Sequence, residues 1–548
     1  MSLLLLADDP SRADVVVLQS LSDDGAHEAS EDVAVEDLTA AVREREADRP
    51  RWVWDDTSRR YPPLLAAGVR VERCHDLRLC HAILRRSVYS QSSTLAQAEP
   101  GPWDGPRTSA PVEVSLFDEP RAEVPDDPLD ELRRQLAAVA GADEPGRLRL
   151  LLAAESTGAL IAAEMQHDGM PWSVEVHDAL LTDLLGPRPR GGRPVKLEAL
   201  ADEVRGALGQ PSLNLDSQPD LLRGLRAAGC DVESTRTYEI KALEHPVRDP
   251  LLAYKKLSRL LSANGWAWMD AWVHDGRFRP DYVPGGVVTG RWATSGGGAL
   301  QLPASVRAAV RADPGWTLVV ADAAQLEPRV LAAMSGDGAM AAAGRHADLY
   351  QGVVDAGIVE TRSEAKYAML GAIYGATTGP SAVLMPRLTR AYPRAVAMVE
   401  AAARAGERGD VVSTWLGRTS PAPNAARRAE LQAASAEGAD AEDVRAARRH
   451  GRDWGRFTRN FIVQGTAAEW ALCWMASLRR RLLALEGRPH LVFFLHDEVM
   501  VHSPASVADA VSDAVRESAV EAGRLLFGDT PVDFALNVSI VDTYDQAK

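Results

Sequence analysis

The sequence predicts a multidomain α/β protein, and three observations carry that prediction. Short apolar runs alternate with helical periodicity over residues 1–90, as an α/β unit requires. Two later apolar runs, Leu318-Val319-Val320-Ala321 and Leu491-Val492-Phe493-Phe494-Leu495, lead into Asp322 and Asp497. Each has the pattern of a buried strand with an acid at its end. At 548 residues the chain is also long enough for three or four domain-sized units.

Composition narrows the class. A hydrophobic content of 46% and a charged content of 25% are ordinary for a soluble globular protein. No apolar run approaches a membrane span. Met1-Ser2-Leu3-Leu4-Leu5-Leu6 lacks a basic flank and soon reaches Asp8 and Asp9, so a signal peptide is not expected and a cytoplasmic location is. Cys74, Cys80, Cys230 and Cys473 are too few and too scattered for a disulfide framework. The Cys74-His75 and Cys80-His81 pairs fit no common zinc spacing. The net charge of −16 is unevenly spread: residues 1–250 hold 28 basic and 45 acidic residues, and 251–548 hold 33 and 32. A near-neutral second half is compatible with a basic groove for a polyanion.

Taken in order, residues 1–90 form the α/β unit, with apolar runs from Asp14 to Leu18, Trp52 to Trp54 and Val69 to Val71. Residues 91–128, rich in Pro, Ser, Gly and acids, read as a mobile linker. Residues 129–185 are helical, with a break at Gly169-Met170-Pro171. Past a Pro/Gly/Arg loop, amphipathic helices return over 195–265; there Tyr254-Lys255-Lys256 and Arg259 set cations on one face. Such a face is either solvated surface or a phosphate contact. Thr289-Gly290-Arg291 opens a glycine-rich loop that ends at Leu300-Gln301, before the Asp322 strand. Residues 421–452, rich in Ala, Arg and Glu, read as an added helical excursion, and Gln464-Gly465-Thr466 reads as a helix start. The last signal is a hairpin with His496, Asp497 and Glu498 at its tip.

Two clusters carry chemistry. A lone Asp322 could simply cap the helix that follows it. Two acids on strand ends can instead converge on a pair of Mg²⁺ ions, which suits an in-line displacement at phosphorus. Arg362, Lys366, Leu370 and Tyr374 recur every four residues and so line one helical face. The cations suit a triphosphate and the ring beyond them suits a base; the plain alternative is an exposed helix.

Four segments, in this order and at about this spacing, resemble the family A DNA polymerases, the class of bacterial DNA polymerase I, in a short actinobacterial-type form. They are Thr289-Gly290-Arg291 with Leu300-Gln301; Asp322, Gln325, Glu327 and Arg329; Arg362, Lys366, Tyr374 and Gly375; and Gln464-Gly465-Thr466-Ala467-Ala468 with His496-Asp497-Glu498. Weaker similarity runs back to about residue 150. The resemblance implies a right-hand fold with a thumb at 186–268, a palm at 269–345 and 453–548, fingers at 346–420 and a helical insertion at 421–452. It implies template-directed extension of a primer by deoxynucleoside triphosphates, in DNA repair or gap filling, by a monomer associated with the nucleoid. Asp322 and Asp497 would hold two Mg²⁺ ions and Glu498 would support them. Arg362 and Lys366 would hold the triphosphate, Tyr374 would pack at the templating base, and Glu327 would exclude a 2′-hydroxyl. Gln325, Tyr350 and Leu370 fall at the nucleotide. Thr289, Arg291, Gln301, Arg329, Gln464 and His496, with Lys255 and Arg259, fall along the primer–template.

The chain also departs from the family pattern. Leu370 replaces an aromatic residue, Ala323 a Tyr, Ala324 a Ser, Tyr350 a His and Ala299 an Asn. No metal ligand is lost, so a slower or more specialised enzyme is expected. The first 90 residues resemble the family's 3′–5′ proofreading domain in outline only: no Asp-x-Glu pair occurs before Asp231-Val232-Glu233. That domain is therefore expected to be a degenerate remnant. A competing reading is a non-catalytic DNA-end-binding paralogue that keeps the fold, which the altered nucleotide positions favour and the retained Asp322, Lys366 and Asp497 oppose. An RNA polymerase of the single-subunit type conflicts with Glu327.

Overall fold

Leu3-Leu4-Leu5-Leu6 is apolar at every position, which suits a strand covered on both faces. In a computed structural model it is the centre of a five-stranded sheet. The structure describes residues 2–105, 127–345, 348–375, 379–435 and 440–547. Strands Leu3–Asp8, Val15–Leu21 and His27–Ala34 form an antiparallel meander, and Arg51–Trp54 and Arg73–Asp76 add in parallel on the other side of Leu3–Asp8. Leu4, Leu6, Trp52 and Trp54 pack on one face against Tyr61 and Leu160; Leu3, Leu5 and Val53 pack on the other against Leu77, Leu129 and Leu132. The two-residue period of the strands sorts the side chains this way. The edge strand His27–Ala34 is mostly exposed and charged, which discourages pairing with another chain.

The chain divides into two compact units. One comprises Met1–His167, Asp281–Ser295 and Val319–Ser539, the other Asp168–Pro280, Gly296–Leu318 and Ile540–Lys548. Within the second, helices Val174–Leu185, Val195–Leu208, Gln218–Ala227 and Arg248–Asn264 accompany a small sheet of Met170–Pro171, Val273–His274 and Arg277–Phe278. Its core gathers Trp172, His177, Trp268 and Phe278, with ring centroids 5.0 to 5.9 Å apart.

A four-stranded sheet has the order His490–Leu495, Glu498–Pro504, Trp316–Ala323, Leu536–Val541. The first two strands form the expected hairpin, with Leu495 opposite Glu498 and His496-Asp497 in the turn. Gln464 does not start a helix. It lies inside the 42-residue helix Ala441–Leu482, which runs on through Gly455 and Gly465 because tertiary packing uses them. A Cβ on Gly455 would lie 2.9 Å from the Ala403 carbonyl oxygen, and one on Gly465 would meet Thr414 and the Thr289 carbonyl. Close approach of neighbouring backbone outweighs the ~1 kcal/mol that glycine costs in a helix. Of the stretch expected as a linker, residues 106–126 lie outside the described residues; its earlier part carries the short helices Thr94–Gln97 and Pro102–Asp104. Among the described residues no helix is long and apolar enough to cross a membrane.

The long helix meets the first 170 residues through a buried ion pair. Arg479 donates to both oxygens of Glu164, at 2.8 and 2.7 Å, and to the carbonyls of Val71 and Glu72 at 2.6 and 2.7 Å. The Tyr61 hydroxyl donates to Glu164 at 2.6 Å. Burial alone would raise the Glu164 carboxyl, yet Arg479 holds it below the usual carboxylate range. Removing one member leaves the other charge buried. Glu164→Gln is expected to cost about 3–5 kcal/mol, whereas Glu164→Leu combined with Arg479→Met should recover most of that loss. Urea denaturation of the three proteins measures it.

Candidate active site

Strand Trp316–Ala323 is buried from Thr317 to Ala321 and emerges at the partly exposed Asp322. The next amide, Ala323 N–H, donates to the Asp497 carbonyl at 2.8 Å. This bond joins the backbones of two strand ends whose acids are 175 positions apart in the chain. The hairpin strand is fixed from behind by Tyr282, whose hydroxyl donates to the Phe494 carbonyl at 2.7 Å and accepts from its N–H at 3.0 Å. Asp497 is partly exposed in the turn, and His496 adopts a left-handed φ of 58° that turns the chain.

After Ala324 the chain turns sharply. Gln325 has a left-handed φ of 49° and begins helix Leu326–Ser335. Its side-chain oxygen accepts from the Leu349 amide at 3.1 Å. In the first turn of that helix, Glu327 forms an ion pair with Arg291 and accepts from the Tyr374 hydroxyl at 2.5 Å. Tyr374 also bonds Gln464; burial, reinforced by Glu327, pushes its hydroxyl up to about 12. Burial, helped by nearby Arg291, lowers the His496 imidazole below its ordinary value. A cleft of about 220 Å³ opens here, with Arg291, Glu327, Tyr350, Leu370, Tyr374 and Asp497 among its lining.

Helix Arg362–Tyr374 starts with a capping box between Thr361 and Glu364. Its register places Leu370 and Tyr374 at the cleft, as the four-residue spacing predicts. Arg362 and Lys366 are exposed nearer its start. Arg362 pairs with Asp348 and lies 5.6 Å from the centre of the Tyr350 ring. Asp348 also caps helix Leu349–Asp355. Its part in holding Arg362 escaped the sequence reading, although an Asp immediately before an apolar helical run signals a cap.

Four expected residues sit elsewhere than anticipated. Arg329 is 1% exposed, and its guanidinium donates to the carbonyls of Ala324, Gly344 and Asp533 at 2.5 to 2.7 Å. It ties the strand turn to its surroundings instead of facing solvent, because three inward carbonyls satisfy its fork. Glu498 is not at the hairpin tip; as the first residue of its strand it is 1% exposed. Thr289 is buried as well. The Lys255 ammonium turns to the Thr235 carbonyl inside the second unit, and partial burial lowers its pKa. Arg259 is exposed on the same helix, and Gln301 closes the short turn Ala299–Gln301.

Asp497 lines the cleft and Asp322 stands at the strand end joined to it; both carboxylates offer oxygen donors, which suit a hard divalent cation. Magnesium in particular takes one or two protein carboxylates and completes its shell with water and substrate phosphates, so two acids are sufficient.

Comparison with known proteins agrees with this geometry. The model of the DNA polymerase family A matches residues 195–545. The thermostable DNA polymerase I of Thermus thermophilus is 28% identical over 365 residues, covering 59% of this chain and 41% of that protein. DNA polymerase I of Chloroflexus aurantiacus is 25% identical over 382 residues, covering 64% and 37%. The chain thus spans less than half the length of these curated relatives. Among solved structures, the POL domain of Pol1 from M. smegmatis, in complex with DNA primer-template and dNTP, aligns with a TM-score of 0.66 at 18% identity, over 100% of this chain and 95% of that one. The fold is the right-hand polymerase fold, and with 195–545 matched the chain belongs to DNA polymerase family A.

Proposed function

We propose that this chain extends a primer 3′-hydroxyl with deoxynucleoside triphosphates, directed by a template strand. The observation that supports the reading is the Ala323–Asp497 backbone bond, which joins the two strand ends that carry Asp322 and Asp497, the latter lining the cleft. Residues 186–268 serve as thumb, 269–345 and 453–548 as palm, 346–420 as fingers and 421–452 as an insertion. Asp322 and Asp497 would hold two Mg²⁺ ions. When bound, these would stabilise the attacking 3′-oxygen and the leaving pyrophosphate.

The chain's own side chains do the rest. Arg362 and Lys366 grip the triphosphate, and Leu370 packs on the incoming base and sugar. Glu327, held in place by Arg291 and Tyr374, fills the space that a 2′-hydroxyl would need. Arg291, Gln464 and His496 face the minor groove at the primer end, where all correct pairs share acceptor positions. Arg259 meets the duplex backbone, while Arg329, Thr289 and Glu498 act by positioning. The enzyme works as a monomer in the cytoplasm, on the nucleoid, in repair or gap filling.

The N-terminal domain is read as lacking proofreading activity. The acids nearest the end of its central strand are already engaged: Asp8 pairs with Arg59 and Arg60, and Asp55 pairs with both as well. Although burial opposes it, those two guanidinium groups hold the Asp8 carboxyl below its ordinary value. Asp56 caps the helix Thr57–Ala66. A metal pair would have to displace both arginines.

Three outcomes are expected. Asp322→Ala and Asp497→Ala should each lower single-nucleotide addition by about 10³-fold or more, on the scale of losing a group that stabilises transition-state charge. Both should keep primer–template binding within a few-fold; normal extension by either would end the polymerase reading. The native protein should not shorten a mismatched 3′ end in the presence of Mg²⁺, and shortening that disappears in Asp8→Ala would show the domain to be active. Leu370→Phe should lower the KM for deoxynucleotides, by no more than the ~1–3 kcal/mol of a base–aromatic contact. It should also change the preference between deoxy and dideoxy substrates; unchanged values for both would mean that Leu370 does not meet the nucleotide.

A further inference from the structure

We propose that an arginine stripe on the long helix binds the single-stranded part of the template beyond the cleft; this rests on the polymerase reading above. Arg445, Arg448, Arg449 and Arg452 are all exposed on helix Ala441–Leu482. Spacings of three and four residues make them neighbours on one helical surface. Arg448, Arg449 and Arg452 make no hydrogen bond or ion pair with any described residue, and Arg445 reaches only the Ala441 carbonyl of its own helix. The next arginines along the helix are engaged, Arg456 with Asp453 and Arg459 with Glu400.

Like charges at these spacings destabilise a helix, so the stripe is a local cost that a polyanion would relieve. Its location selects which polyanion. The same unbroken helix carries Gln464, bonded to Tyr374, and Ala467 and Ala468, which line the cleft. Arg452 lies twelve residues before Gln464, about 18 Å along a continuous helix, so the stripe is fixed rigidly relative to the site. On the polymerase reading, a template strand that leaves the cleft along this helix would meet the stripe. Four guanidinium groups spread over about 10 Å of helix match adjacent phosphates of one extended strand. The residues that carry the stripe are also the excursion for which the polymerisation cleft itself has no use.

The test compares the native protein with a variant carrying Arg445→Gln, Arg448→Gln, Arg449→Gln and Arg452→Gln, and with the corresponding four-lysine variant. Fluorescence anisotropy reads binding to primer–templates with 5′ template overhangs of one or eight nucleotides over a salt series. The native protein should bind the longer overhang about ten-fold tighter, and the glutamine variant should lose that gain, with a salt slope reduced by ~0.7 per phosphate released. The lysine variant should keep the charge-dependent slope. Single-nucleotide addition on the one-base overhang at saturating DNA should be equal in all three proteins, which also certifies their folding. No addition by any of them would defeat the polymerase reading and with it this proposal. Normal addition with identical overhang dependence in native and glutamine proteins, or an equal loss on both overhangs, would overturn the stripe alone.

Discussion

The interaction on which most of the first unit depends is the buried Arg479–Glu164 pair with Tyr61. A guanidinium and a carboxylate taken out of water cost several kcal/mol each, and only a complete set of partners offsets that. Here the set is complete: two carboxylate oxygens, two backbone carbonyls and a phenol converge in one place. Because its members come from helix Thr57–Ala66, the loop at Val71-Glu72, helix Pro145–Asp168 and helix Ala441–Leu482, the network ties four segments together, the last of them far from the others in sequence. The helix so fixed also carries Gln464, Ala467 and Ala468 to the cleft. The N-terminal part of the chain thus braces the helix that floors the site.

A second buried network sets the other wall. Arg418 pairs with Glu155 at 2.7 Å, and Glu469 accepts from the Leu416 amide at 3.0 Å and from the Thr414 hydroxyl. Burial pushes the Glu469 carboxyl up to about 7 despite those donors. Gly290, with φ of 84°, lies so close to Arg418 that a Cβ would collide with it, and only glycine meets both demands at little cost. The residue after it is Arg291, which holds Glu327. The glycine in Thr289-Gly290-Arg291 therefore serves to bring the neighbouring arginine into the cleft against a packed side chain.

These two networks explain what could be read from the sequence and what could not. Strand ends were legible because an apolar run that stops at an acid is a local signal, and Asp322 and Asp497 both obey it. The register of helix Arg362–Tyr374 was legible because a four-residue spacing puts Leu370 and Tyr374 on one face wherever the helix packs. Arg329 and Lys255 were misjudged because a cation looks the same in sequence whether it meets solvent or inward-facing carbonyls. Gln464 was misjudged as a helix start because Gly455 and Gly465 look like breaks until the segments pressing on them are known. In each failure the deciding partner lies far away in the chain, beyond the reach of periodicity or propensity.

The two ends of helix Arg362–Tyr374 are held very differently. At its C-terminal end Tyr374 is half-buried and bonded to Glu327, which is itself held by Arg291, and to Gln464. At its start, Arg362 has a single carboxylate partner, Asp348, and both it and Lys366 are exposed. Exposed pairs are worth about 0–1 kcal/mol and weaken with salt, whereas contacts in the partly buried cleft are screened far less. The start of the helix is therefore its weakly held end, with two exposed cations and one pair that salt can loosen. The cleft end is the firmly held one, since moving it would break the bonds of Tyr374 to Glu327 and to Gln464.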